Sequence, residues 1–226
     1  MNFKSFAFRC LLPLALVSQQ AEANPIFNGD FSLGNTGFSS QYGFSTGTNT
    51  SAGVYAVATN PQLLHPDAAS FGDHTTGTGN MLIANGATSP NTTVWEQTVS
   101  VSANTNYLLS GWAASWGNYG DGIDTNPARL LLFANGLQLG GESIVSGTNG
   151  LWNEFQYSLN SSALTSITFR IVDANIVSAP NDFSLDDISL EVAPVGGTVP
   201  EPATYALTAI ALIGLVVCWK RQQASA

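Results

Sequence analysis

Tyr107-Leu108-Leu109-Ser110-Gly111-Trp112-Ala113 is the stretch whose reading decides the fold. In an extended chain Tyr107, Leu109, Gly111 and Ala113 fall on one face, and Leu108, Ser110 and Trp112 on the other. No helical period of useful length competes with this alternation between Asn24 and Thr198. Outward from it, short runs rich in Val, Ile, Thr, Phe, Trp and Tyr recur between clusters of Gly, Asn, Asp and Pro. They predict strands near 26–31, 53–59, 80–84, 94–101, 107–114, 129–133, 152–159, 166–171 and 183–192, which is an all-β sandwich. Asn135-Gly136 is expected to close a type I′ hairpin, and Asn104-Thr105-Asn106 another. In Phe183-Ser184-Leu185-Asp186-Asp187-Ile188-Ser189-Leu190-Glu191-Val192 strict alternation groups Ile188, Leu190 and Val192 with Asp186, and Phe183 and Leu185 with Asp187. One face of that strand is therefore expected to change from apolar to acidic along its length. Long loops are expected at 32–52, 60–79 and 116–126, where functional side chains concentrate on a rigid scaffold.

The ends of the 226-residue chain carry address labels. Lys4 and Arg9 precede an apolar run at 10–17, and Ala21-Glu22-Ala23 supplies the small residues read by a signal peptidase, so residues 1–23 are expected to be a cleaved signal peptide. At the other end, 203–219 holds no charged residue, and as a helix rising ~1.5 Å per residue it would cover ~25 Å, enough for a thin bilayer. Lys220 and Arg221 follow at once, which sets the cytoplasmic side and leaves 222–226 as a cytoplasmic tail. Between these ends lie a single expected domain at 24–192 and a short linker at 193–198. Cys10 and Cys218 both fall in the end segments, so the exported domain is expected to have no disulfide. Of the six basic residues only Arg129 and Arg170 belong to it, against thirteen acids between Asp30 and Glu191. Nucleic acid is excluded as a partner by that imbalance. Neutral ligands and divalent cations suit it better.

The run Val199-Pro200-Glu201-Pro202, an apolar span, then Lys220-Arg221 resembles the PEP-CTERM sorting signal of bacteria that make exopolysaccharide. The resemblance covers 199–221 and implies recognition by an exosortase, a membrane-embedded transpeptidase-like partner. The chain would then be an inner-membrane-anchored precursor passed to the cell surface or the extracellular (biofilm) matrix. Val199, Pro200, Glu201, Pro202, Lys220 and Arg221 would be recognition residues for that enzyme. A second resemblance spans the domain. Asn28-Gly29-Asp30-Phe31 with Gly37-Phe38, then Val94-Trp95-Glu96-Gln97-Thr98-Val99-Ser100-Val101 with the decisive stretch, then the final Phe183-to-Leu190 run resemble carbohydrate-binding modules with the galactose-binding-like jelly roll. Such modules often hold a structural calcium where the first strand meets the last, and the matching positions are Asp30, Asp186 and Asp187. The family commonly has an acid just after the Phe, where this chain has Ser32.

For a ligand, Trp116 and Tyr119 stand among small and polar residues that cannot bury them locally, with Asn118 and Asp121 beside them. Sugar rings stack their C–H faces on aromatic planes while amide and carboxylate groups take the hydroxyls, so these four are the expected polysaccharide contacts. Loop aromatics also plug sandwich ends, and Tyr42, Phe44 and Trp152 are further candidates. Glu96, Glu142 and Glu154 carry no local feature that would split their pKa values as a glycosidase needs. His65 and His74 do not match a zinc spacing, and Ser/His/Asp catalysis is not expected for want of a nucleophile elbow. The expected protein is thus no enzyme but a surface or matrix protein that binds neutral polysaccharide. The alternative is a structural or adhesive protein without glycan specificity.

Overall fold

A computed structural model describes residues 24–117, 122–177 and 180–194. The expected signal peptide, sorting signal, transmembrane helix and cytoplasmic tail lie outside the described residues, as do Asn118, Tyr119 and Asp121. Among the described residues no helix is long and apolar enough to cross a membrane.

The described residues up to Val192 form one compact unit. Its strands are β1 (Gly43–Phe44), β2 (Val54–Ala58), β3 (Met81–Asn85), β4 (Thr93–Ser100), β5 (Asn106–Ser115), β6 (Arg129–Ala134), β7 (Leu137–Ile144), β8 (Asn153–Asn160), β9 (Ser166–Asp173) and β10 (Phe183–Val192). One sheet has the order β1-β2-β3-β10-β5-β8 and the other β4-β9-β6-β7. From β3 onward the chain crosses repeatedly between the sheets, which is the jelly-roll form of a β-sandwich. The inward residues are those that the alternation selects. Tyr107, Leu109 and Ala113 of β5 meet Trp95, Leu130, Leu132 and Phe169 of the opposite sheet in one apolar core. Each such side chain contributes roughly 1.5–3 kcal/mol when taken fully out of water.

The predicted hairpin at Asn135-Gly136 is present, with φ of 48° and 80°, as a type I′ turn between β6 and β7 requires. Three local expectations are corrected. Residues 26–31 are not a strand, because Asn28 and Phe31 take φ of 55° and 52°. The Asn28 side chain accepts from Leu33 N–H and donates to the Gly34 and Thr36 carbonyls, tying the segment into a knot of turns. Phe31 is thereby driven into the core, and Gly29 is pressed so close to β10 that a Cβ would lie 1.9 Å from the Ile188 carbonyl oxygen. The turn at Asn104-Thr105-Asn106 does not close a hairpin, since β4 and β5 belong to different sheets. It arches over the end of the sandwich, where Asn104 N–H bonds to Ser162 O.

The third correction concerns β10. Asp186 stands opposite Trp112 and Ser189 opposite Ser110, so one extra residue is inserted, and Asp187 has φ of 48°. This bulge resets the alternation, and Phe183, Leu185, Ile188 and Leu190 all join the core. No face changes from apolar to acidic. Asp186 is turned to the outer face of the sheet and Asp187 is thrown out at the bulge.

Candidate functional site

The outer face of the six-stranded sheet is treated differently along its width. Over β2 and β3, the excursion between residues 59 and 80 lies down on it, and Leu64 and Ala68 pack with Val54, Ala56, Met81, Ile83 and Trp116 in a second apolar cluster. A single 3-10 turn, Pro61–Leu63, is held there by its Asn60 cap. The excursion ends against β10 and β5, and the faces of β5 and β8 beyond it are open.

Strand register defines what that open face presents, because directly opposed residues share a face. Asp186, Trp112 and Glu154 form one row, Ser189, Ser110 and Gln156 the next, and Glu191, Leu108 and Ser158 the third. Ser110 and Ser189 are joined through their hydroxyls at 3.0 Å, and Gln156 Nε2 donates to Glu154 Oε1 at 2.7 Å, as this arrangement demands. With strands ~4.8 Å apart and alternate residues ~6.8 Å apart, the three rows span about 10 by 13 Å. Trp112 is only partly buried, and the His74 ring stacks on it at 3.9 Å with 15° between planes. Trp152 meets His74 edge-on at 5.9 Å and Phe71 at 5.8 Å, so a partly exposed aromatic cluster crowns one end of a polar sheet face.

His74 is held in place by the β10 bulge. Its backbone N–H donates to Asp186 Oδ2 at 2.8 Å, its Nδ1 lies 2.7 Å from Asp187 Oδ2, and Thr75 Oγ1 donates to the same carboxylate. Asp73 anchors the following turn by accepting from Thr76 and Gly79 N–H. Burial pushes its pKa up, but those hydrogen bonds outweigh burial and hold it below the usual carboxylate range. Asp186 is moved the other way, to about 7, first by burial and then by the neighbouring charge of Asp187.

Asp30, Asp186 and Asp187, the positions expected to hold calcium, each accept hydrogen bonds within the chain. Asp30 accepts from Ser32 N–H and Oγ, Asp187 is engaged by His74 and Thr75, and Asp186 is 1 % exposed with both oxygens bonded to N–H groups. Asp30 and Asp187 do border one cavity of about 140 Å³ together with Asp73, Thr75, Thr76 and Asn80. Even so, among the described residues no three His, Cys, Asp or Glu side chains are grouped to hold a metal ion. Asp186 and Asp187 fasten the His74 loop to β10.

Trp116, the expected sugar contact, is corrected to a core residue. It is 1 % exposed, its ring lies in the cluster under the excursion, and its Nε1–H donates to Phe183 O at 2.8 Å. Neighbours far along the chain bury what its small local neighbours could not. Tyr42 is likewise inside, its hydroxyl accepting from Ala87 N–H, whereas Phe44 is exposed against Tyr55. Trp152 is partly exposed in the aromatic cluster. Trp116→Phe keeps an aromatic ring but loses the Nε1–H bond to Phe183 O. It is expected to lower stability by about 1–3 kcal/mol in a thermal melt without changing ligand binding. Trp112, which heads the open face, is not among the contacts expected from the sequence, although its place on the polar face of an alternating strand is the available signal.

The spelling Gly-x-Ser-x-Gly does occur, at Gly43-Phe44-Ser45-Thr46-Gly47. It is not a nucleophile elbow: β1 leads into no helix, and Ser45 Oγ donates to Gly47 O at 2.8 Å with no histidine beside it.

No protein-family model matches the chain, and no curated protein matches it in sequence. Among solved structures, a cyclase from Fischerella sp. TAU is similar with a TM-score of 0.55 and 13% identity, over 79% of this chain and 100% of that one. The CBM22-1-CBM22-2 tandem domain of Xyn10C from Paenibacillus barcinonensis is similar with a TM-score of 0.48 and 15% identity, over 82% of this chain and 50% of that one. A family 16 carbohydrate-binding module follows with a TM-score of 0.40 and 16% identity, over 74% and 99%. Likeness at such identities establishes the fold, and a fold shared with a cyclase does not by itself separate binding from catalysis.

Proposed function

We propose that this chain is an exported, non-catalytic glycan-binding protein whose binding platform is the outer face of β5, β8 and β10, centred on Trp112. One observation carries the reading. A partly exposed indole, braced by His74, stands at the head of rows of hydroxyl, amide and carboxylate groups on a rigid sheet. The aromatic cluster of Trp112, His74 and Trp152 supplies apolar contact with a sugar face, and Ser110, Gln156 and Glu154 are spaced to take its hydroxyls. A sheet spends little conformational entropy in presenting them, since the side chains are already paired with one another. Affinity electrophoresis of the full chain in neutral detergent through gels containing xylan, β-glucan, chitosan or alginate tests this. Retardation on at least one gel is expected. Equal mobility on all of them would overturn the reading in favour of a structural or adhesive protein.

Delivery belongs to the same proposal. The signal peptide 1–23 exports the domain, and Val199-Pro200-Glu201-Pro202 with the apolar span and Lys220-Arg221 directs it through an exosortase to the cell surface or matrix. Intact mass measurement of the mature protein is expected to find a form beginning at Asn24 and lacking Lys220-Arg221, with Glu201→Ala retaining the tail. A mature wild-type protein that keeps Arg221 in the membrane would leave only a plain anchor.

A further inference from the structure

The Trp112 platform is flanked by acids; among the described residues no lysine or arginine approaches it, and its one basic side chain, His74, is paired with Asp187. Glu154 stands directly opposite Trp112 and is exposed, Asp187 lies beside the stacked His74, and Glu191 opens the third row. Only two arginines belong to the domain, and both are engaged on the other sheet. Arg129 pairs with Glu142, and the Arg170 guanidinium lies 4.4 Å over the Phe133 ring. A ligand on the platform therefore meets aromatic faces and carboxylates together. Aromatic rings with nearby carboxylates are the combination that favours an ammonium group, through the ring quadrupole and through charge. A uronic-acid or sulfated polymer meets like charge.

Resting on the glycan-platform reading, we infer that the platform selects a polysaccharide bearing free amino groups, of the glucosamine type, over its acetylated counterpart and over anionic polymers. Each carboxylate–ammonium contact at a wet surface contributes little alone, a factor of about 1.5–5 in affinity. A polymer repeats the charge along its length, so that Glu154 and Glu191, at diagonal corners of the platform, engage separate units of one chain. The aromatic cluster supplies the part of the binding that charge does not. Neutral sugars are accepted through it, and amino sugars are preferred because of what surrounds it.

The test compares glucosamine oligomers with N-acetylglucosamine oligomers of equal length, titrated into the full chain by calorimetry at about pH 6, where such amines are protonated. About ten-fold tighter binding of the deacetylated oligomer is expected at low salt, shrinking toward parity as salt screens the charges. Glu154→Gln is expected to reduce the preference by about three-fold, by weakening the deacetylated oligomer more than the acetylated one. Glu142→Gln, on the opposite sheet, is expected to change neither. Equal affinity for the two oligomers would overturn this inference and leave the glycan platform standing. Equal losses in Glu154→Gln and Glu142→Gln would also overturn it, because diffuse charge and not the platform would then be responsible. Binding to neither oligomer, nor to any polysaccharide in the gels, would remove the platform itself.

Discussion

Thermal stability is expected to fall as pH rises from about 4 to about 8, by an amount on the order of 10 °C in Tm. The cause is a group of buried acids around the start of β10. Asp124, Asp173 and Asp182 are 2 %, 3 % and 6 % exposed. Burial, above all, lifts Asp173 to about 7, against the pull of hydrogen bonds from Arg129 and Asn175 N–H and the Asn181 amide, with the charge of Asp182 adding to the rise. Burial lifts Asp182 to about 6, with Asp124 adding to it, and raises Asp124 itself. Tyr42, the other titrating group facing them, is driven upward by burial and stays neutral throughout. A carboxyl whose pKa is raised on folding keeps its proton to higher pH than the unfolded chain does. Its favourable contribution is complete below the unfolded value near 4 and is lost as pH climbs through the folded value. For Asp173 the shift from 3.8 to about 7 corresponds to about 4 kcal/mol. At ~2–4 °C per kcal/mol for a domain of this size, that is the expected fall. Asp73 acts in the opposite direction, since its lowered pKa withdraws stability below about pH 4, and the optimum should lie near pH 4–5. Circular-dichroism melts across this range check it. Asp173→Asn should melt well above wild type at pH 8 and close to it at pH 5. A Tm that is flat between pH 5 and 8 in the wild type would show that these carboxyls do not carry protons in the folded state.

Trp112→Ala is expected to abolish retardation on every polysaccharide that slows the wild type, a loss of at least ten-fold in affinity. The indole is the centre of the platform, and removing it also frees His74 from its stack and loosens the loop that Asp186 and Asp187 hold. A half-buried ring on the outer face is not part of the main core, so the cost in stability should stay near 1–3 kcal/mol and the melt should remain cooperative. Trp116→Phe serves as the matched control, being destabilised by a similar amount with its mobility in polysaccharide gels unchanged. If Trp112→Ala folds and still shows wild-type retardation, the glycan contact lies elsewhere on the molecule.

The alternation at Tyr107 to Ala113 and the turn chemistry of Asn135-Gly136 were enough to determine an all-β sandwich and most of its strands. Both signals are local. A period of two and a pair of residues able to take positive φ act within a few positions of the chain, where the sequence is itself the geometry. The clustering of bases at the chain ends and of acids between them is likewise written in the order of residues, and it sets the sign of the domain's charge without any coordinates. Tertiary structure alone decided the rest. That 26–31 knots into turns depends on side-chain hydrogen bonds of Asn28 and on the approach of Gly29 to β10, some 160 residues away. The single inserted residue at Asp187 moved Ile188 and Leu190 into the core, since one added position exchanges the two faces of everything after it. Trp116 and Trp112, four positions apart on one strand and the residue that follows it, received opposite fates. The excursion from Asn60 to Gly79 folds over the first, with His65 beside it, and lays His74 against the second. Exposure of a side chain is set by whatever else arrives at its surface, and no period within β5 records where a distant loop comes to rest.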